Sequence, residues 1–257
     1  MNDTKTPYGS AVIKAGAILG ALSSDDGPKT VTEISRDTGI SKATVYKLLE
    51  TLQLMGLVER TPFTTYKLGV GVVRLARSYL SEQNGLAAIA EPYLRQLNEL
   101  TGETIHLGLQ DGLEIVYLVK LESTQVVRMH SNVGQASPMY CTGLGKAILS
   151  SLDDSNIEDY LKQVELHRYT STTITKPELL RLEVQRIRKR GYAMDNGEHS
   201  EDVRCIAVAF PHNRKQWAAI SISAPLYRME DATSQAYAPH LLKARSAILR
   251  VAQSRPG

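Results

Sequence analysis

The sequence predicts an α+β chain: a small N-terminal winged helix-turn-helix, a linker helix, and a larger C-terminal domain in which a curved antiparallel sheet is flanked by helices. Three features predict it. Between Thr32 and Leu52, apolar residues at helical spacing are broken by Gly39 and resume behind Ser41, a residue suited to cap a second helix. Residues 105–109 and 115–121 read as strands around Asp111-Gly112, a dipeptide suited to a tight hairpin. Residues 205–210 and 217–223 form a second such pair, and the helical stripes between the pairs lack the strict rhythm of a doubly wound sheet.

Taken in order, Val12, Ala15, Leu19 and Leu22 form the stripe of a first helix, which ends before the loop-forming run Ser23-Ser24-Asp25-Asp26-Gly27-Pro28. Ile34 buries the second helix, Gly39 makes the turn, Ile40 plugs the junction, and Val45, Leu48, Leu49 and Leu52 bury the third. The opposite face carries Lys42, Ala43, Thr44, Tyr46 and Lys47. With Ser41 and Thr32, these groups suit the phosphates and base edges of a major groove. Residues 57–60 and 66–68 then make a wing. Residues 1–70 are therefore expected to be a DNA-binding domain.

Gly69-Val70-Gly71 breaks the strand and offers a hinge. Val72, Leu75, Ala76, Tyr79 and Leu80 trace one face of a linker helix over residues 71–84, which Asn84-Gly85 is expected to end. That face is too apolar for a solvated linker, so it is expected between two protomers of a homodimer or tetramer on a pseudo-palindromic operator. A separate helix follows through Leu86, Ile89, Ala90, Tyr93, Leu94, Leu97 and Leu100, with Pro92 as a kink. The domain over residues 85–257 continues with a third strand at 126–130, helices at 143–151 and 176–190, and a last helix through Leu241 and Ile248 that Pro239 starts or kinks.

Composition narrows the classes. The 257 residues, 42% of them hydrophobic, suffice for a buried core, and no run is long and apolar enough to span a membrane. Met1-Asn2-Asp3 begins no charged-then-apolar leader, so a cytoplasmic protein is expected. Cys141 and Cys205 are too few for a disulfide framework. The net charge of +3, with an excess of only one cation over residues 1–70, points to a few well-placed cations.

In the C-terminal domain, Ile206, Val208 and Phe210 point to one face while Cys205, Ala207 and Ala209 point to the other. Ile220 and Ile222 oppose Ser221 and Ser223, and Ile105, Leu107 and Leu109 oppose His106 and Gly108. One face is small. It fits either a helix packed closely on it or a pocket for a small polar ligand. Thr142, capping a helix that opens with Gly143 and Gly145, leaves backbone amides for a carboxylate.

The run Ser41-Lys42-Ala43-Thr44-Val45-Tyr46-Lys47-Leu48-Leu49, the run from Pro138 to Ala147, and Arg204-Cys205-Ile206-Ala207-Val208 with Ser221-Ile222-Ser223 resemble the isocitrate-lyase-regulator (IclR) family of bacterial transcription factors, in order and over essentially the whole chain. Glu103–Gly108, Val127-Arg128-Met129 and Asp195-Asn196-Gly197-Glu198 most resemble its branch that controls pectin and uronate breakdown and responds to 2-keto-3-deoxygluconate. The resemblance implies a profilin- or GAF-like effector domain. It places effector contacts on Thr142, Gly143, Asp195, Cys205, Ser221 and Ser223; Met139 is expected beside them, and His106 or Arg128 is expected to reach the ligand's hydroxyls. The expected function is a ligand-responsive repressor whose partners are double-stranded DNA and a small organic acid. The alternatives are an activator of the same family and a small-molecule-processing enzyme with a DNA-binding domain. Cys205, His199 and Asp202 can be drawn as a catalytic trio but lack a nucleophile signature. The histidines and cysteines lack metal-ligand spacing, so no catalytic residue, metal or cofactor is expected.

Overall fold

The computed structural model describes residues 9–23, 27–127, 131–213 and 216–254, the side chains of 78–84 excepted, and the chain divides into two units, Met1–Glu82 and Gln83–Gly257. In the first, α1 (Ser10–Leu22), α2 (Val31–Thr38) and α3 (Lys42–Leu54) pack around Ile18, Ile34, Val45 and Leu49, each fully buried. The stripe of α1 is centred on Ile18 rather than Val12, which is 75% exposed, because Ile18 and Leu22 lie four residues apart on one face. A reciprocal cap opens α2: the Glu33 amide donates to the Thr30 hydroxyl at 3.3 Å, and the Thr30 amide donates to the Glu33 carboxylate at 2.7 Å. Gly39, in the left-handed region, closes α2, and Ser41 caps α3. The wing strands β1 (Val58–Arg60) and β2 (Tyr66–Leu68) pair antiparallel, and Tyr66 exchanges backbone hydrogen bonds with Lys29.

The two helices expected between residues 71 and 100 are one, α4 (Gly71–Thr101), which passes through Asn84-Gly85 and Pro92. A helical glycine costs only about 1 kcal/mol relative to alanine, and the apolar spacing resumes at Leu86 without a change of phase. The expected linker face also divides. Val72 packs into the head's own core, Leu75 is 69% exposed, and Tyr79 and Leu80 lie outside the described side chains.

The second unit is built on a six-stranded antiparallel sheet ordered β5 (Ala136–Pro138), β4 (Glu114–Leu121), β3 (Thr104–Asp111), β8 (Trp217–Pro225), β7 (Val203–Pro211), β6 (Ala193–Asn196). Its bulky face, with Ile105, Leu107, Ile206, Val208, Phe210, Ile220 and Ile222, packs against residues 86–97 of α4 and against α8 (Asp231–Ser254). Burying each such side chain stabilises the fold by roughly 1.5–3 kcal/mol. The small face carries Ala207, Ala209 and Ala219 under α5 (Gly143–Ser151), with α6 (Asp154–Gln163) and α7 (Pro177–Arg190) completing that layer. Pro239 lies inside α8, which starts at Asp231.

The strand expected over residues 126–130 does not form as read. Residues 124–127 are bends, Val126 is 98% exposed, and 128–130, with Arg128, lie outside the described residues.

Gly69 and Gly71 are sites of close approach rather than a free hinge. The Gly69 amide donates to Leu57 and the Gly71 amide to Gly56, and a methyl group at either position would collide with the Gly56 carbonyl. Gly69→Ala and Gly71→Ala are each expected to destabilise the head by about 1–3 kcal/mol. Thermal unfolding checks this, and an unchanged midpoint would contradict the packing.

Candidate functional site

On the head, Lys42, Ala43, Tyr46 and Lys47 are exposed along α3, and Thr32 is exposed at the start of α2. Ser41 Oγ and Thr44 Oγ1 are 3.0 Å apart, so the two hydroxyls are presented as a pair. Lys29 and Arg36 pair with Asp37, and Lys67 pairs with Glu59. Lys42 and Lys47 have no carboxylate partner among the described residues.

In the second unit, α5 covers only part of the small face. A methyl group at Gly143 would stand 3.0 Å from Cys205 Cβ and 3.6 Å from Ala207 Cβ. Toward the other end of these strands the face opens into a cavity of about 610 Å³. Both readings of the small face therefore apply, each to one part of it.

Strand register builds the floor. His106 stands opposite Ser221, Cys205 opposite Ser223, and Asp195 opposite Cys205, so four adjacent strands deliver these side chains in a row. Thr142 Oγ1 accepts from the Gly145 amide at 3.2 Å and donates to the Pro138 carbonyl at 2.7 Å. This cap leaves the first two amides of α5, those of Gly143 and Leu144, at the cavity wall. Of the nine residues expected at an effector site, His106, Thr142, Gly143, Asp195, Cys205, Ser221 and Ser223 all line the cavity. Met139 does not. It is fully buried beneath α5, where its backbone lies so close to Gly145 that any side chain at 145 would overlap it. Arg128 lies outside the described residues.

Burial pushes the pKa of His106 down to about 3, with Lys120 adding to the shift. The ring is neutral, with Nε2 2.8 Å from Ser131 Oγ and Nδ1 3.3 Å from Ser223 Oγ. Burial raises Asp195 to about 7, opposed by Lys146 and by amides of the following turn, of which Glu198 N lies 2.8 Å from Oδ1. Fully buried Lys146 pairs with Glu198. Three threonine hydroxyls clamp that turn: Thr170 and Thr172 donate to the Gly197 carbonyl, each at 2.7 Å, and Thr173 donates to the Glu198 carbonyl at 2.6 Å.

The IclR helix-turn-helix domain family matches residues 11–62, and the family described as bacterial transcriptional regulator IclR, C-terminal, matches residues 77–250. The chain belongs to the IclR family of bacterial transcriptional regulators. It is 36% identical over 230 residues to the HTH-type transcriptional regulator KdgR of Escherichia coli, covering 89% of this chain and 87% of that one. It is 31% identical over 235 residues to the transcriptional repressor IclR of the same species, covering 90% and 85%. The crystal structure of the Thermotoga maritima IclR, 34% identical, superposes with a TM-score of 0.72 over 94% of this chain and 98% of that one.

Within this IclR-family cavity, Cys205, His199 and Asp202 do share one wall, but burial raises the Cys205 pKa and lowers that of His199. A thiol held protonated is the reverse of an activated nucleophile. Among the described residues, no three His, Cys, Asp or Glu side chains stand together as a metal site. Sequence reasoning missed Tyr117, Ser131 and Ser137 on the cavity wall and the Lys146–Glu198 pair beneath it. A lysine inside the apolar run of α5 was the available signal for a buried partner.

Because the folded pKa of Asp195 exceeds its unfolded value, its contribution to stability is full in acid and is lost as pH rises through about 7. The stability of the natural chain relative to Asp195→Asn should therefore fall between pH 5 and pH 8. Denaturant unfolding of both across that range checks the sign, and a rising difference would contradict it.

Proposed function

We propose that this chain is a ligand-responsive repressor of sugar-acid catabolism genes, released from its operator by a small carboxylic acid such as 2-keto-3-deoxygluconate. The cavity carries this reading: one wall offers helix-terminal amides, and the floor beside it offers hydroxyls and a carboxyl group. The ligand's carboxylate sits on the Gly143 and Leu144 amides at the positive end of α5, beside Thr142. Its remaining oxygens meet Asp195, Ser221, Ser223 and His106, while Cys205 shapes the floor. The likeness to KdgR supports the sugar-acid class.

On the head, Thr32, Ser41, Lys42, Ala43, Thr44, Tyr46 and Lys47 face the major groove, with Lys42 and Lys47 on phosphates and Thr44 and Tyr46 closer to bases. Two heads pair through the exposed face that carries Leu75, which sets a pseudo-palindromic operator. Leu75→Glu should then sediment as a monomer where the natural chain sediments as a dimer or tetramer; an unchanged oligomer would remove that interface.

Operator titrations followed by anisotropy test the assignment. Millimolar 2-keto-3-deoxygluconate should release the natural protein from DNA. Lys47→Ala should weaken every DNA sequence and flatten the salt dependence by roughly one unit of slope. Asp195→Ala should bind operator normally yet need about 10–100 times more ligand for release, the cost of a hydrogen bond to a charged group. No response to the acid would sink the sugar-acid reading, and tighter DNA binding would make the protein an activator or a corepressor-dependent repressor.

A further inference from the structure

Asp195 lines the cavity, and a second carboxyl group and a single ammonium, Glu198 and Lys146, are buried beside it. The ammonium pairs with Glu198 Oε1, and Glu198 Oε2 has no hydrogen-bond partner among the described residues. Asp195 is left with backbone amides of its own turn. Among the described residues, no second ammonium or guanidinium acts on it beside Lys146. Cys141 stands ahead of α5, Cys205 comes from β7 and Tyr117 from β4, and burial keeps all three protonated. Burial lowers the pKa of His199, in the turn itself, and α7 places Glu183, which pairs with Arg186 and Arg190, behind Glu198. One ammonium facing two desolvated carboxylates leaves an unbalanced charge unless one carboxyl group keeps its proton. An organic anion seated on the α5 amides would add a further negative charge to the same enclosure.

We propose that Asp195 recognises the effector as a neutral carboxylic acid, hydrogen-bonding through its proton to an acceptor oxygen of the ligand, so that each anion is bound together with one proton taken from water. This rests on the reading of the cavity as an organic-acid site. It narrows the ligand to acids that place a keto or carboxylate oxygen at Asp195, since the protonated carboxyl group offers a donor there. His106 takes no part in the coupling, because its pKa near 3 keeps it neutral throughout the working range.

Isothermal titration of the full-length protein with 2-keto-3-deoxygluconate, galacturonate and short keto acids, at pH 6 and pH 8 in two buffers of different ionisation enthalpy, tests it. Binding should be about tenfold weaker at pH 8 than at pH 6, with uptake of close to one proton per site at pH 8. Asp195→Asn, which keeps a donor without a titrating proton, should bind within a few-fold of the natural chain at pH 6 and lose the pH dependence. Equal affinity at both pH values, with heats independent of buffer, would overturn the coupling and leave the organic-acid site standing. Failure of every acid to bind at either pH would overturn the organic-acid site and the coupling with it.

Discussion

Side-chain volume on one face of the central sheet is the constraint from which the rest of the second unit follows. Ile105, Ile206, Val208, Phe210, Ile220 and Ile222 fill the opposite face and fix it against α4 and α8. Cys205, Ala207, Ala209 and Ala219 keep the near face so shallow that α5 lies almost on the strands. Packed interiors tolerate little excess volume, so a bulkier residue at Ala207 or Gly143 would displace the helix. Beyond the start of α5 the face is uncovered, and helix amides and short polar side chains are exposed there among apolar groups such as Leu144, Val203 and Leu226. Packing and recognition are thus two parts of one surface.

The chemistry of the cavity follows from its burial. His106 is neutral and held among three serines, the thiol of Cys205 is protonated, and Lys146 is occupied by Glu198. Among the residues described at the wall, the start of α5 offers a positive end, with its amides beside the Thr142 cap. The threonine clamp on residues 197–198 holds the turn that carries Asp195 opposite it. Burial that keeps the Cys205 thiol protonated is the reverse of what activates a nucleophile.

Local patterns made much of this legible. Ser41, Gly39 and the stripe through Val45 and Leu49 defined the helix-turn-helix, and Asp111-Gly112 marked the β3–β4 hairpin of the second unit because turn geometry is set by nearest neighbours. Alternation along residues 105–109, 205–210 and 217–223 placed four cavity residues, His106, Cys205, Ser221 and Ser223, on one face, and Thr142 and Gly143 were legible as a helix start. Properties decided at long range were not legible. Asn84-Gly85 has the composition of a stop, yet α4 runs through it, because the packing of Leu86, Ala90 and Leu94 outweighs a weak propensity. Met139 borders the glycine-rich helix start in sequence, but the tight α5 contact turns it into core. The Lys146–Glu198 pair joins residues 52 apart, which no local window sees.

The central claim is that the open part of the small face controls the DNA-binding head through what it holds. The most direct measurement is operator affinity of Ser221→Leu, a substitution that adds bulk to the cavity floor, with and without the effector acid. The account predicts ligand-free operator affinity equal to that of the natural chain and no release at ligand concentrations that release the natural protein. Undiminished release by the same acid would contradict it.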